Sequence, residues 1–231
     1  MDDNMRIRNA NLVIPVEMIS FSFLNKMLKE LTVYLYLKMY TDGKVNEESE
    51  LFDKLKKDLK LKDKRTFDKY IRNLIRCNWM GYDVKTGNYF IRSFNHIRVI
   101  NHFKKRNGVT FQYKNFKTWK SFFAAAVMGS KVNGIKYKRT LSKGKTLRVT
   151  NKGDVAFQPD FSFTGSESSR DGLANQLIAK ELCCNKTMAS NLKNMVATDG
   201  YLKVKPQYIE FVDIKEGGTI NHLNTYYPNL S

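Results

Sequence analysis

The chain has 231 residues, 42% of them hydrophobic and 13% aromatic, with only 4 prolines and 13 glycines, which excludes a disordered, low-complexity or collagen-like protein. Its 40 lysines and arginines outnumber 22 acids for a net charge of +18, so a polyanion is the expected partner. Cys77, Cys183 and Cys184 make neither a disulfide framework nor a CxxC clip, residues 1–11 hold no signal-peptide core, and no run of about 18 apolar residues could span a membrane; a reduced, cytoplasmic protein without a membrane partner is expected.

Taken in order, Leu12 to Met18 predicts a short extended lead-in, since Pro15 blocks a helix through it. Apolar residues at helical spacing, from Phe23 and Leu24 to Met39, predict one helix over about 22–40 with Ser22 as its cap. Lys44-Val45 suits a short strand. Ser49 is placed to cap a helix carrying Leu51, Phe52, Leu55 and Leu59, and Asp63 a third carrying Phe67, Tyr70, Ile71 and Leu74. Trp79 to Val84 and Tyr89 to Arg92 then read as a hairpin joined at Lys85-Thr-Gly-Asn88.

The same order returns further on. Ser169 starts a helix with Leu173, Leu177, Ile178 and Leu182; a turn at Cys183–Asn185 leads to a helix from Lys186 to Met195, and short strands follow at Tyr201–Val204 and Tyr208–Phe211 around a turn at Lys205-Pro-Gln207. Matching Thr66, Phe67, Ile71 and Leu74 to Thr187, Met188, Leu192 and Met195 gives a divergent internal repeat with a period of about 121 residues. Phe116 to Met128 supplies a first helix for the second copy. Ile135–Leu141, Lys145–Thr150 and Val155–Phe157 read as strands of an insert at about 131–165. The expected organisation is therefore a first domain over 1–95, a connector over 96–115, a second domain over 116–214 and a loose tail over 215–231.

Charge is concentrated between the two copies. From Val84 to Gly153 there are 17 basic residues and no acid, with eleven aromatics among them.

Helix, helix, helix, hairpin is the order of a winged helix. The stretch Lys64-Arg-Thr-Phe-Asp-Lys-Tyr-Ile-Arg-Asn-Leu74 with Trp79-Met-Gly81 and Tyr89-Phe-Ile91 resembles the recognition helix and wing of bacterial winged helix-turn-helix proteins. Two such copies in one chain resemble the tandem winged-helix replication initiators of plasmids and phages. The resemblance implies an α+β fold of two winged-helix domains, the second with a basic β insert, and a double-stranded DNA-binding protein of a phage, plasmid or other mobile element, acting in replication or as a transcription regulator. A homodimer is compatible with it. An RNA- or single-strand-binding module, or an assembly protein, is the alternative.

The resemblance places Lys64, Arg65, Thr66, Lys69, Arg72 and Asn73 on the outward face of the first recognition helix, where arginine suits guanine, asparagine adenine, and lysine or threonine phosphate. It adds Lys85, Asn88 and Arg92 from the first wing, and Lys186, Thr187, Ser190 and Lys193 from the second recognition helix. Lys136, Lys138, Arg139, Lys143, Lys145 and Arg148 form a cationic ribbon in the insert, which would follow a phosphate backbone or guard a strand edge. No catalytic or metal-binding set is expected. His96 and His102 have no ligand neighbours in sequence, Gly144-Lys145-Thr146 lacks the leading glycine of a P-loop, and the basic block has no carboxylate for a two-metal nuclease. No cofactor is expected.

Overall fold

In the computed structural model of the protein, residues 6–61, 63–104, 107–143, 147–149, 155–157, 175–201, 204–214 and 220–230 are described, with side chains over 6–61, 63–104, 107–131 and 175–201. The fold is α+β, with helices and small antiparallel sheets. It divides into two compact units, residues 1–126 and 127–231.

The first unit is built around one helix. Strand β1 (Asn11–Pro15) leads into α1 (Val16–Leu24) and α2 (Leu28–Tyr40). Leu31, Val33, Tyr34, Leu35, Tyr36, Leu37 and Met39 of α2 are all fully buried. A helix apolar on every side has to be surrounded, and α1, β1, α3 (Leu51–Asp58), α4 (Lys64–Arg76) and strand β4 (Asn88–Ile91) pack round it. The single helix expected over 22–40 is two. Ser22 does not cap; its hydroxyl donates back to the Met18 carbonyl at 2.8 Å. The Asn25 amide takes the Phe21 carbonyl at 2.9 Å and Lys26 turns left-handed at φ +56°, which ends α1 and restarts the chain as α2.

Strand β2 (Lys44–Asn46) pairs antiparallel with β4, and β4 with β3 (Met80–Asp83), in the order β2-β4-β3. The hairpin is anchored at its base: the Tyr34 hydroxyl donates to the Arg92 carbonyl at 2.7 Å, and the Arg92 amide donates to the Trp79 carbonyl at 3.0 Å. Trp79, fully buried, has its ring against Phe21 and Tyr34.

The stretch expected as a connector, residues 96–115, folds into this unit. Helix α5 (Phe94–Ile100) buries Ile97, and β5 (Gly108–Gln112) pairs with β1 in a register running from Asn11↔Gln112 to Pro15↔Gly108. Strand β1 leaves a row of backbone groups that need partners, and β5 supplies them. Phe111, fully buried, meets Phe116, Phe122 and Phe123 at ring distances of 4.9–5.7 Å, which ties the start of α6 (Trp119–Lys143) to the same core. The boundary accordingly falls at Ala126, not at residue 95.

In the second unit α6 continues as helix through Lys143, so Ile135–Leu141 is helical where a strand was expected. Its Lys-Tyr-Lys alternation imitates a strand, but no proline interrupts the chain between Pro15 and Pro159, and Gly134 weakens a helix by only about 1 kcal/mol. The other two insert strands do form, as β6 (Leu147–Val149) paired with β7 (Val155–Phe157). Helices α7 (Asn175–Glu181) and α8 (Lys186–Thr198) pack together, and Lys131 of α6 forms an ion pair with Glu181 at 2.5 Å. The helix start expected at Ser169 lies outside the described residues.

The predicted turn at 205–207 is strand, and so are residues 220–230 of the predicted loose tail. Strand β8 (Val204–Ile214) pairs along its whole length with β9 (Ile220–Leu230). Pro206 faces Pro228, and a two-stranded ladder tolerates both, because each strand has an open edge where a missing N–H is not needed. Among the described residues no helix is long and apolar enough to cross a membrane.

Candidate nucleic-acid interface

The start of α4 is fixed by Asp63. Its carboxylate accepts from the Arg65 and Thr66 amides at 3.1 and 3.0 Å and from the Thr66 hydroxyl at 2.7 Å. These bonds, the Thr66 hydroxyl first, hold its pKa below the usual carboxylate value. Phe67, Tyr70, Ile71 and Leu74 turn inward from there. The opposite face then carries Arg65, Lys69, Arg72 and Arg76, all exposed, at spacings of four, three and four residues. None of these four side chains is in an ion pair among the described residues. Arg76 belongs to this stripe and was missed in the sequence; the i, i+4, i+7, i+11 spacing from Arg65 was the signal that could have found it.

Two residues expected outward are otherwise engaged. The Asn73 amide donates to Glu30 of α2 at 2.8 Å and is half-buried. Thr66 is also half-buried, its hydroxyl held by Asp63. Lys64 and Arg72 are both exposed and, with Lys56, border a groove of about 600 Å³ between α3, α4 and the hairpin. That groove also holds Glu47, Glu48, Asp53 and Asp68, which repel a polyanion. The acidic groove meets the cationic stripe at Arg72, which belongs to both, while Arg65, Lys69 and Arg76 lie outside its lining.

The hairpin tip is a tight loop. Asp83 accepts from the Lys85 amide at 3.0 Å and the Thr86 hydroxyl at 2.9 Å, Asn88 donates to the Thr86 carbonyl at 3.0 Å, and Gly87 is left-handed at φ +63°. This leaves Val84, 82% exposed, and Lys85 projecting at the tip. A Cβ on Gly81 would meet the Arg92 guanidinium at 3.3 Å, so Arg92 lies across β3 while still exposed.

The second copy repeats the local geometry with a shift of one residue from the predicted alignment. Asn185 caps α8, accepting from the Met188 amide at 2.7 Å, and so corresponds to Asp63 at a spacing of 122 residues (63 to 185). Both helices have 13 residues. Both end in a left-handed residue, Asn78 and Gly200, again 122 apart (78 to 200). The next amide reaches back to Leu74 O at 2.9 Å in one and Val196 O at 3.1 Å in the other. The buried sets correspond in the same way: Phe67, Tyr70, Ile71 and Leu74 against Ala189, Leu192, Lys193 and Val196. The predicted inward residue Met188 is 52% exposed. Lys193, predicted to reach DNA, is 2% exposed, and burial lowers its pKa to about 8. Ser190 is half-buried; Lys186 and Thr187 are exposed.

The positions matching Arg65, Lys69, Arg72 and Arg76 are Thr187, Asn191, Asn194 and Thr198, all exposed. The same stripe recurs with no charge. Of the insert residues, Lys136, Lys138, Arg139 and Lys143 lie on α6 and Arg148 on β6, with their side chains outside the described set; Lys145 is outside it altogether.

Compared with models of protein families, with curated proteins and with solved structures, the chain matches none.

Proposed function

We propose that the protein binds double-stranded DNA as a tandem winged-helix protein, with α4 in the major groove and the β3–β4 tip on the flanking backbone. The observation that carries this reading is the α4 stripe: four exposed cations along about three turns of a capped helix, beside a hairpin tipped by Lys85. The element order α2-β2-α3-α4-β3-β4 and the sheet order β2-β4-β3 support it. The uncharged α8 stripe supports unequal roles, with the first copy contributing most of the phosphate neutralisation and the second contributing hydrogen bonds from asparagine and threonine. Replication initiation or transcription regulation in a mobile element remains the setting that the tandem resemblance implies.

The test is a selection of random duplexes followed by titration at several salt concentrations. Arg65→Ala and Arg72→Ala each cost about 1–3 kcal/mol on the selected site and relax its sequence preference, whereas Lys69→Ala and Arg76→Ala lower the salt slope by about 1 each. Equal affinity for duplex DNA, single strands and RNA would sink the groove-reading model. Thr187→Ala with Asn191→Ala is expected to leave the salt slope unchanged.

A further inference from the structure

A second surface of the first unit has features that duplex reading does not use. A groove of about 580 Å³ opens between the start of α2, the turn after α3 and the 3-10 turn (Tyr113–Phe116) that precedes α6. Its size lies within the about 300–1,000 Å³ of small-molecule sites. Lys29, Lys60, Lys114 and Lys117 line it, all four exposed, and among the described residues none is in an ion pair. Three come from separate elements, so the charge is gathered by the fold and not by a sequence run.

The groove has one carboxylate, and tyrosines engage it. Asp58 Oδ2 accepts from the Tyr36 hydroxyl at 2.5 Å and the Tyr113 hydroxyl at 3.3 Å. The Tyr113 hydroxyl is protonated at neutral pH, as any tyrosine is, and burial, which raises its pKa to about 12, keeps it a donor to higher pH still. The Asp58 bonds thereby hold two aromatic rings in place. Phe116 meets Tyr36 at 5.5 Å and Tyr113 at 5.7 Å between ring centroids, and Trp119 adds a half-buried indole at the far end.

We propose that this groove binds a nucleotide, with the base against the Tyr113 and Trp119 rings and the phosphates among the four lysines. Flat aromatic walls with a cationic rim match a ligand that has a π face at one end and negative charge at the other. An apolar ligand would leave the lysines unused, and a bare anion would leave the rings unused. None of these residues belongs to the α4 stripe, so the proposal stands independently of duplex binding. The nucleotide could be free or one unit of a single strand, and the chemistry is shared.

The full chain contains two tryptophans, and Trp79 is fully buried, so quenching of intrinsic fluorescence reports on Trp119. Adenosine triphosphate, an eight-residue oligothymidylate and inorganic tripolyphosphate are titrated separately. The expected result is saturable quenching by the first two, with tripolyphosphate at least tenfold weaker in a competition titration. Tighter binding of the oligonucleotide marks a strand site; equal or tighter binding of adenosine triphosphate marks a free-nucleotide site. The double variant Lys114→Gln/Lys117→Gln weakens both at least tenfold, as does Lys29→Gln/Lys60→Gln, while Arg65→Ala/Arg72→Ala leaves both unchanged. No saturable quenching, tripolyphosphate binding as tightly as the nucleotides, or insensitivity to both lysine pairs would each overturn the proposal.

Discussion

Two residues that cap or pack corresponding helices both favour the fold as pH rises, but in separate windows. Asp63 has its pKa depressed in the folded state by the bonds at the start of α4. Its contribution is therefore complete above the ordinary carboxylate value and is lost as pH falls through the depressed one. Asp63→Ala lowers the denaturation midpoint at pH 7, and Asp63→Asn, which keeps a capping oxygen, restores most of it while removing the acid dependence. Lys193 has its pKa lowered from 10.5 to about 8 by burial. Between those values the unfolded chain binds more protons, so stability rises with pH across this window, and below about 8 the full effect of the lowered pKa applies. Chemical denaturation of Lys193→Met against the parent, repeated at pH 7 and pH 10, should show an advantage for the variant that shrinks at the higher pH. A constant advantage would place the effect in packing instead.

Glycine separates the elements into those held open by backbone shape and those that only tolerate it. Gly87 turns the β3–β4 tip at φ +63°, and a Cβ there would lie 3.1 Å from Glu47 Oε1. Gly87→Ala is expected to cost about 1–2 kcal/mol. Gly129 lies within α6 with open space around it, so Gly129→Ala should stabilise by about 0.5–1 kcal/mol. Thermal melts of the two variants should move in opposite directions. The same contrast explains what could be read in advance. Helix α4 was legible because Asp63, Phe67, Tyr70, Ile71 and Leu74 state its start and its inner face within a dozen residues. The β1–β5 ladder was not, since Asn11 gives no sign of Gln112. Strand β9 was hidden because Gly217-Gly218 suggested a loose end, when the partner that orders residues 220–230 is another strand, β8. For the interface, charge and spacing were visible, but the turning of Asn73 onto Glu30 is a tertiary contact 43 residues away, and the burial of Lys193 depends on a cap placed one residue away from the apparent repeat.

At the scale of the whole molecule, the basic middle of the chain is divided between two folded units. Lys85, Arg92, Arg98, Lys114, Lys117 and Lys120 belong to the first, which also carries α4 and has its own core around α2. Residues 1–126 expressed alone should therefore fold cooperatively and keep most of the salt-dependent affinity for duplex DNA, measured against the full chain on the same selected site. A fragment ending at residue 95 should not, because it lacks β5 and Phe111.

That dependence on β5 also sets an order of events during synthesis. The side chain of Gln112 donates to Asn11 across a separation of 101 residues, and no earlier segment pairs with β1 among the described residues. While the ribosome is still making the hairpin, β1 waits with its ladder groups unmatched. The first unit can close only after residue 112 has cleared the exit tunnel, by which point the start of α6, seven residues further on, has already been added. A pulling-force profile along the nascent chain should accordingly show its main peak late, after β5 emerges, and not when α4 and the hairpin are complete.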